Sequence, residues 1–291
     1  MAIGMSTSCH PIVQQTPCPL SVNQGLVEIE RRQHMVDATW RFLEPDRQPL
    51  TGIGDADSPA ITITRMPPHP HLPTVIDAAN ALSAGLQNPS LLVGLHRDID
   101  GLTGKDGKAL GRSTKQYALR WGIFTMSYAA VEAFFNDVLA LEPSRTRHLP
   151  LNPDKLRHVG QQHAVRLFTN DWGVRTRILG NAAGNRSRWK AYVGTQEVQL
   201  YLADMKNLRD ILSHGGDPYT VSNRSGALWP LKSGGHSMRL MGAEGFIQAC
   251  CDLASQTVLA YGGDSADLPE WPEPERSGLS AERRPPLPLL H

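Results

Sequence analysis

Apolar residues recur at helical spacing over much of the second half of the chain, and they predict four strong helices between about residues 115 and 261. From Lys115 to Leu141 the sequence is apolar on nearly every side (Ile123, Phe124, Met126, Val131, Phe134, Phe135, Val138, Leu139), so this helix is expected to be central. Asn152-Pro153 provides an N-cap and a first-turn proline for a helix running to about Thr169. After an irregular stretch, Thr195 caps the next helix. There Val198, Tyr201, Leu202, Met205, Leu208 and Leu212 form one buried face, and Gly215-Gly216 stops it. A last helix is expected near Ala243 to Tyr261. The fold class is mainly α, a helical bundle over about 110–262.

The flanks are less regular. Residues 1–25 read as a disordered leader and 26–100 as a smaller α+β region of unknown role. In that region Ala60 to Thr64 alternates like a strand, and Thr74 with Asp77 resembles a capping box opening a helix that Asn88-Pro89 interrupts. The Gly- and Lys-rich segment 100–113 cannot be fitted to a phosphate loop and reads as a connector. Residues 263–291 read as a Pro-rich disordered tail, in which Arg284-Pro285-Pro286-Leu287-Pro288 could also be a polyproline-II ligand.

Composition adds little. A 291-residue chain with 40% hydrophobic and 20% charged residues fits a globular protein, and a net charge of +1 gives no global nucleic-acid signature. No apolar run is long enough for a membrane span. With no signal-peptide pattern and four cysteines that form no framework, a cytoplasmic location is expected. Cys9-His10 with Cys18, and His69-x-His71, lack a complete ligand set, so neither a metal site nor a cofactor is expected.

Local charge changes the picture. Between Arg145 and Lys190 there are ten Lys or Arg residues and two acids, about +8 in a neutral chain. Arg175, Arg177, Arg186, Arg188 and Lys190 are the candidate RNA contacts, with Trp172 and Trp189 either stacking on unpaired bases or filling the core. The next helix ends in Arg209-Asp210-Ile211-Leu212-Ser213-His214. A guanidinium holds phosphate through two parallel hydrogen bonds, and an imidazole moves protons near neutral pH. Five residues apart, the two side chains sit roughly 140° apart around a regular helix. They converge only if the last turn unwinds at Gly215-Gly216 or if a two-fold partner supplies a second copy. The plain alternative is a surface Arg209 and a His214 that caps the helix C-terminus. Glu132, in a mostly apolar helix, must face water or have a cationic partner.

The helix Met126 to Asp137, followed some seventy residues later by Arg209 to His214, resembles the HEPN (higher eukaryotes and prokaryotes nucleotide-binding) superfamily of small helical bundles, over roughly residues 110–262. The resemblance implies metal-independent RNA cleavage by a homodimer. His214 would act as acid or base, Arg209 would neutralise the scissile phosphate, Asp210 would orient either, and Glu132 and Ser213 would support them. It also implies a role as a toxin or phage-defence effector, with an antitoxin or regulatory partner. A non-catalytic module of the same fold that binds nucleotide, RNA or protein is the other reading.

Overall fold

The computed structural model describes residues 69–100, 102, 103, 105, 107, 114–139, 150–180, 187–274 and 284–290, all within the compact unit Thr64–His291. The expected strand at Ala60–Thr64, the leader and the segment 26–43 lie outside the described residues, as do Arg145, Arg147, His148 and Arg186.

The described part is mostly helical: α1 (Leu72–Asp100), α2 (Thr114–Leu139), α3 (Pro153–Gln162), α4 (Thr195–Ser213) and α5 (Leu240–Ala260). Two small antiparallel hairpins complete it, β1 (Gly173–Ile178) with β2 (Arg188–Val193) and β3 (Trp229–Pro230) with β4 (His236–Ser237). No described helix is long and apolar enough to cross a membrane.

The central helix is α5, not the α2 helix expected from its all-round apolarity. From Gly242 to Val258 every residue of α5 except Gln248 is buried, whereas α2 leaves Met126, Ala129, Ala133 and Asp137 exposed. Small residues explain the difference. Gly242, Ala243, Gly245, Ala249 and Ala254 let neighbours approach α5 closely on several sides. At Gly245 an added Cβ would lie 2.3 Å from the Arg177 nitrogen, so helix backbone and strand backbone are in direct contact.

That contact belongs to an arrangement the sequence reading did not contain. The stretch expected to be irregular is a hairpin paired from Gly173↔Val193 to Ile178↔Arg188. Among the described residues one edge of β1 has no strand beside it, and such an edge leaves backbone groups to be satisfied. Polar side chains one turn apart on α5 supply the partners. Gln256 accepts from the Gly173 N–H at 2.8 Å and donates to its carbonyl at 2.7 Å. Asp252 accepts from the Arg175 N–H at 2.7 Å. Glu244, 1% exposed, receives Arg97 at 2.7 Å and Arg177 at 3.4 Å.

Other departures have equally local causes. α1 begins at Leu72, before the expected capping box, and runs through Pro89. Proline removes one helical hydrogen bond, at about 3 kcal/mol, but Leu82 and Leu86 before it and Val93 after it enter the same core. α3 has the expected cap, Asn152 accepting from the Asp154 and Lys155 N–H groups at 3.1 Å. It ends at Gln162 because the chain turns back there, bringing Leu167 against Gly160. The expected tail is packed where it is described: Leu287 is 1% exposed against Gly173, and Trp271 donates to Ser255 at 3.1 Å. The proline-rich segment is therefore neither a solvated tail nor a free ligand at Leu287.

Candidate functional site

Arg209, near the end of α4, turns inward to α2. Its Nη2 donates to Glu132 Oε1 at 2.6 Å, and its Nη1 lies 2.9 Å from Asp210 Oδ1. The guanidinium carbon sits 4.9 Å above the Tyr128 ring, one turn before Glu132 on α2. Glu132 thus has a cationic partner, which its buried position demanded. Its Oε1 also accepts from the Leu151 N–H at 3.4 Å, which ties the start of α3 to the pair. Lys206 pairs with the other oxygen of Asp210 across one helical turn.

Within this cluster the charges are two cations and two carboxylates. Burial works against the charge on Arg209, but the Glu132 carboxylate and then Tyr128 and Asp210 outweigh it and raise its pKa. Tyr128 is wholly buried. Burial first, and then the Glu132 carboxylate, hold its phenol far above the usual range, so it stays protonated at neutral pH. Its Oη and the Arg209 Nε are buried polar atoms with no hydrogen-bond partner. Arg209 nevertheless keeps 25% of its side-chain surface exposed, and Asp210 keeps 33%.

His214 does not join this cluster. Its N–H still bonds to the Asp210 carbonyl at 3.1 Å, Gly216 N–H bonds to Ile211 at 2.8 Å and Gly215 N–H to Leu212 at 3.4 Å. Gly215, at φ 70°, takes the left-handed position of a complete Schellman stop. The last turn is therefore regular, and unwinding does not carry the imidazole across. His214 and Ser213 are exposed at the helix end; His214 lies on a side of α4 away from Arg209, whereas Ser213, one turn after Arg209, lies on the same side as it.

The expected RNA contacts divide. Arg177 is 1% exposed and held by Glu244 and by the Ser187 hydroxyl at 2.9 Å, so it has no face for phosphate. Arg175 grips buried Asp252 through Nε and Nη2. Both arginines hold the hairpin on α5, a use that their charge alone could not distinguish from RNA contact. Arg188 is exposed, and Lys190 lies 3.9 Å over the Tyr192 ring. Arg186 is outside the described residues. Trp172 and Trp189 are core residues, 1% and 8% exposed. Tyr128 and Lys206 were missed, although each stands four residues before a singled-out acid. The stripe Glu244, Gln248, Asp252 and Gln256 was also missed, although its four-residue spacing is plain in the sequence. Among the described residues no group of three or more His, Cys, Asp or Glu is placed to hold a metal ion.

Buried phenols give this region a pH signature. Burial pushes Tyr192 and Tyr261 up to about 12, and Tyr128 higher still. An unfolded tyrosine titrates near about 10. Folding therefore favours the protonated phenols, and that contribution is complete below about pH 10 and lost as pH rises through the folded values. Stability is expected to be flat on this account up to pH 10 and to fall beyond it, with phenolate absorbance rising together with loss of helical circular dichroism. Phenols ionising near pH 10 in an intact fold would contradict this burial.

Comparison with protein-family models, with curated proteins and with solved structures finds no match to this chain.

Proposed function

We propose that the chain is a metal-independent endoribonuclease of the HEPN type, acting as a homodimer through Arg209 and His214. The observation that carries this reading is the Arg209 guanidinium, fixed by Glu132 at 2.6 Å, set over Tyr128 and still open to solvent on one side. Beside it, the exposed His214 ends the same helix. One copy separates the two side chains around α4, so the reading requires the second copy. Arg209 of one subunit then faces phosphate while an imidazole at the shared cleft takes the 2′-hydroxyl proton or protonates the 5′-oxygen leaving group. The products are a 2′,3′-cyclic phosphate and a 5′-hydroxyl.

A dimer that cuts RNA in EDTA is the expected result, with His214→Ala lowering the rate by a factor on the order of 10² or more. The exposed position of His214 at the helix cap makes its removal harmless to the core. Cutting that survives His214→Ala, or a monomer that cuts equally well, overturns the assignment.

One observation favours a second reading. Arg209 already faces two carboxylates, Glu132 and Asp210. A guanidinium so neutralised is a weaker phosphate anchor, as in a non-catalytic module that binds RNA or a protein. Retention of RNA without cleavage, unchanged by His214→Ala, is the outcome that would select it.

A further inference from the structure

Residues 284–290 are held in the way a bound peptide is held. Among the described residues their backbone makes no hydrogen bond to the rest of the chain. The one backbone bond they make is internal, from the Leu290 N–H to the Leu287 carbonyl at 3.1 Å. Side chains hold the segment instead. Leu287 is buried, and its Cδ2 lies 2.7 Å from where an added Cβ on Gly173 would stand, so the bare glycine makes its socket. Arg284 donates to Glu273 Oε1 at 2.7 Å, and its guanidinium carbon sits 5.4 Å from the centre of the Trp189 ring. Leu289 packs against the core, while Pro286 and Pro288 are exposed. Inward residues three apart, exposed prolines and a backbone outside any ladder are the pattern of a polyproline-II ligand. Such ligands dock in aromatic-lined grooves. Here Trp189, Trp271, Pro272 and Pro274 line a cavity of about 280 Å³ beside Arg284.

We propose that this groove is a docking surface for a proline-rich peptide of the type Arg-Pro-Pro-Leu-Pro on a partner protein, and that residues 284–290 occupy it in cis as the competitor. The chemistry of the occupant is that of the segment already seated there. A cation meets Glu273 and the Trp189 face, and a branched apolar side chain two prolines later fills the Gly173 socket. Another chain can supply each of these contacts, because none uses the backbone that joins the segment to the fold. The hold is also light. Glu273 is 66% exposed, and an ion pair so open to water adds little. Proximity is what favours the cis segment. Arg284 pairs with a carboxylate only 11 positions earlier in the chain, which presents the segment at an effective concentration in the millimolar range. The groove uses neither Arg209 nor His214, so the inference is independent of the cleavage reading.

Fluorescence anisotropy of a labelled peptide with the sequence of residues 283–291 tests it, with the full chain as receptor. Leu287→Asp in the chain is expected to release the cis segment, since a carboxylate cannot enter the socket unpaired. That variant is expected to keep the helical circular dichroism of the wild type and to bind the peptide. The wild type is expected to bind it on the order of tenfold more weakly or worse, because its own segment competes. The same peptide carrying Leu287→Asp is expected to bind on the order of tenfold more weakly to the open chain, and Glu273→Arg in that chain to weaken binding a few-fold. Loss of helical structure in Leu287→Asp overturns the proposal, because an exchangeable segment is not needed for the fold. No peptide binding by the folded variant, equal binding by variant and wild type, equal binding of the two peptides, or an unchanged Glu273→Arg chain also overturns it. A wild-type dimer that Leu287→Asp turns into a monomer gives the groove to the segment of a second copy, and a partner's peptide is then excluded.

Discussion

Glu244→Gln is expected to cost about 3–5 kcal/mol of folding stability, the usual penalty for removing one partner of a buried ion pair. Glu244 is 1% exposed and receives two guanidiniums, Arg97 from α1 and Arg177 from β1. The substitution keeps size but deletes the negative charge and turns one of the two oxygens that accept from Arg97 and Arg177 into an amide donor. Arg177, also 1% exposed, and Arg97, 15% exposed, would then be held in a poorly solvated place with less compensation. Urea denaturation followed by circular dichroism measures the loss. A change below about 1 kcal/mol, the range of exposed pairs, would show that the two arginines do not depend on this carboxylate. Replacing the whole group by apolar residues, with Arg97→Met, Arg177→Met and Glu244→Leu together, is expected to cost less than Glu244→Gln alone, because no buried charge of the group remains.

Gly245→Ala is expected to be the most damaging methyl group that can be added to α5. Alanine is normally favourable in a helix interior by about 1 kcal/mol over glycine. Here the new Cβ would lie 2.3 Å from the Arg177 backbone nitrogen and 2.5 Å from the Thr176 hydroxyl oxygen. Backbone cannot rotate out of the way as a side chain can. α5 must retreat from β1, and retreat loosens the Gln256 and Asp252 bonds to the strand edge. A loss of about 3 kcal/mol or more is expected, at the upper end of overpacking effects. Gly122→Ala on α2 is the control, since nothing lies within 4 Å of its added Cβ. That change is expected to stabilise by up to about 1 kcal/mol. Equal effects at the two positions would show that the close approach of α5 to β1 does not exist in solution.

Both expectations concern the junction of α5 and β1, which sequence reading passed over. The reason is physical. β1 is only six residues long, and five of its six residues are buried, so both faces are covered and no clean alternation marks it as a strand. Its partners on α5 come from more than sixty residues away in the chain. The polar stripe on α5 was visible, but spacing alone cannot say whether such a stripe meets water or a strand edge. The same ambiguity surrounds basic residues. Arg175 and Arg177 read as part of a +8 surface, and only their geometry shows carboxylates waiting for them.

The candidate site was legible to a greater depth. Glu132 stood out because a carboxylate in an apolar helix requires an answer, and Arg209 is that answer at 2.6 Å. The angular separation of Arg209 and His214 follows from helix geometry, and the regular Schellman end of α4 keeps it. Tyr128 under the guanidinium required coordinates, because cation–π placement depends on how α2 and α4 cross.

By itself the sequence determined the local periodic features: the buried stripe of α4, the Asn152 cap of α3, the glycine stop after His214, and the need for a partner at Glu132. Each depends on residues within a few turns of one another, where covalent geometry and solvation set the outcome. Tertiary structure alone decided which helix is central, how α1 carries Pro89, where 284–290 packs, and which cations face inward. Those outcomes depend on distant segments competing for one core and on charges whose partners are chosen by packing.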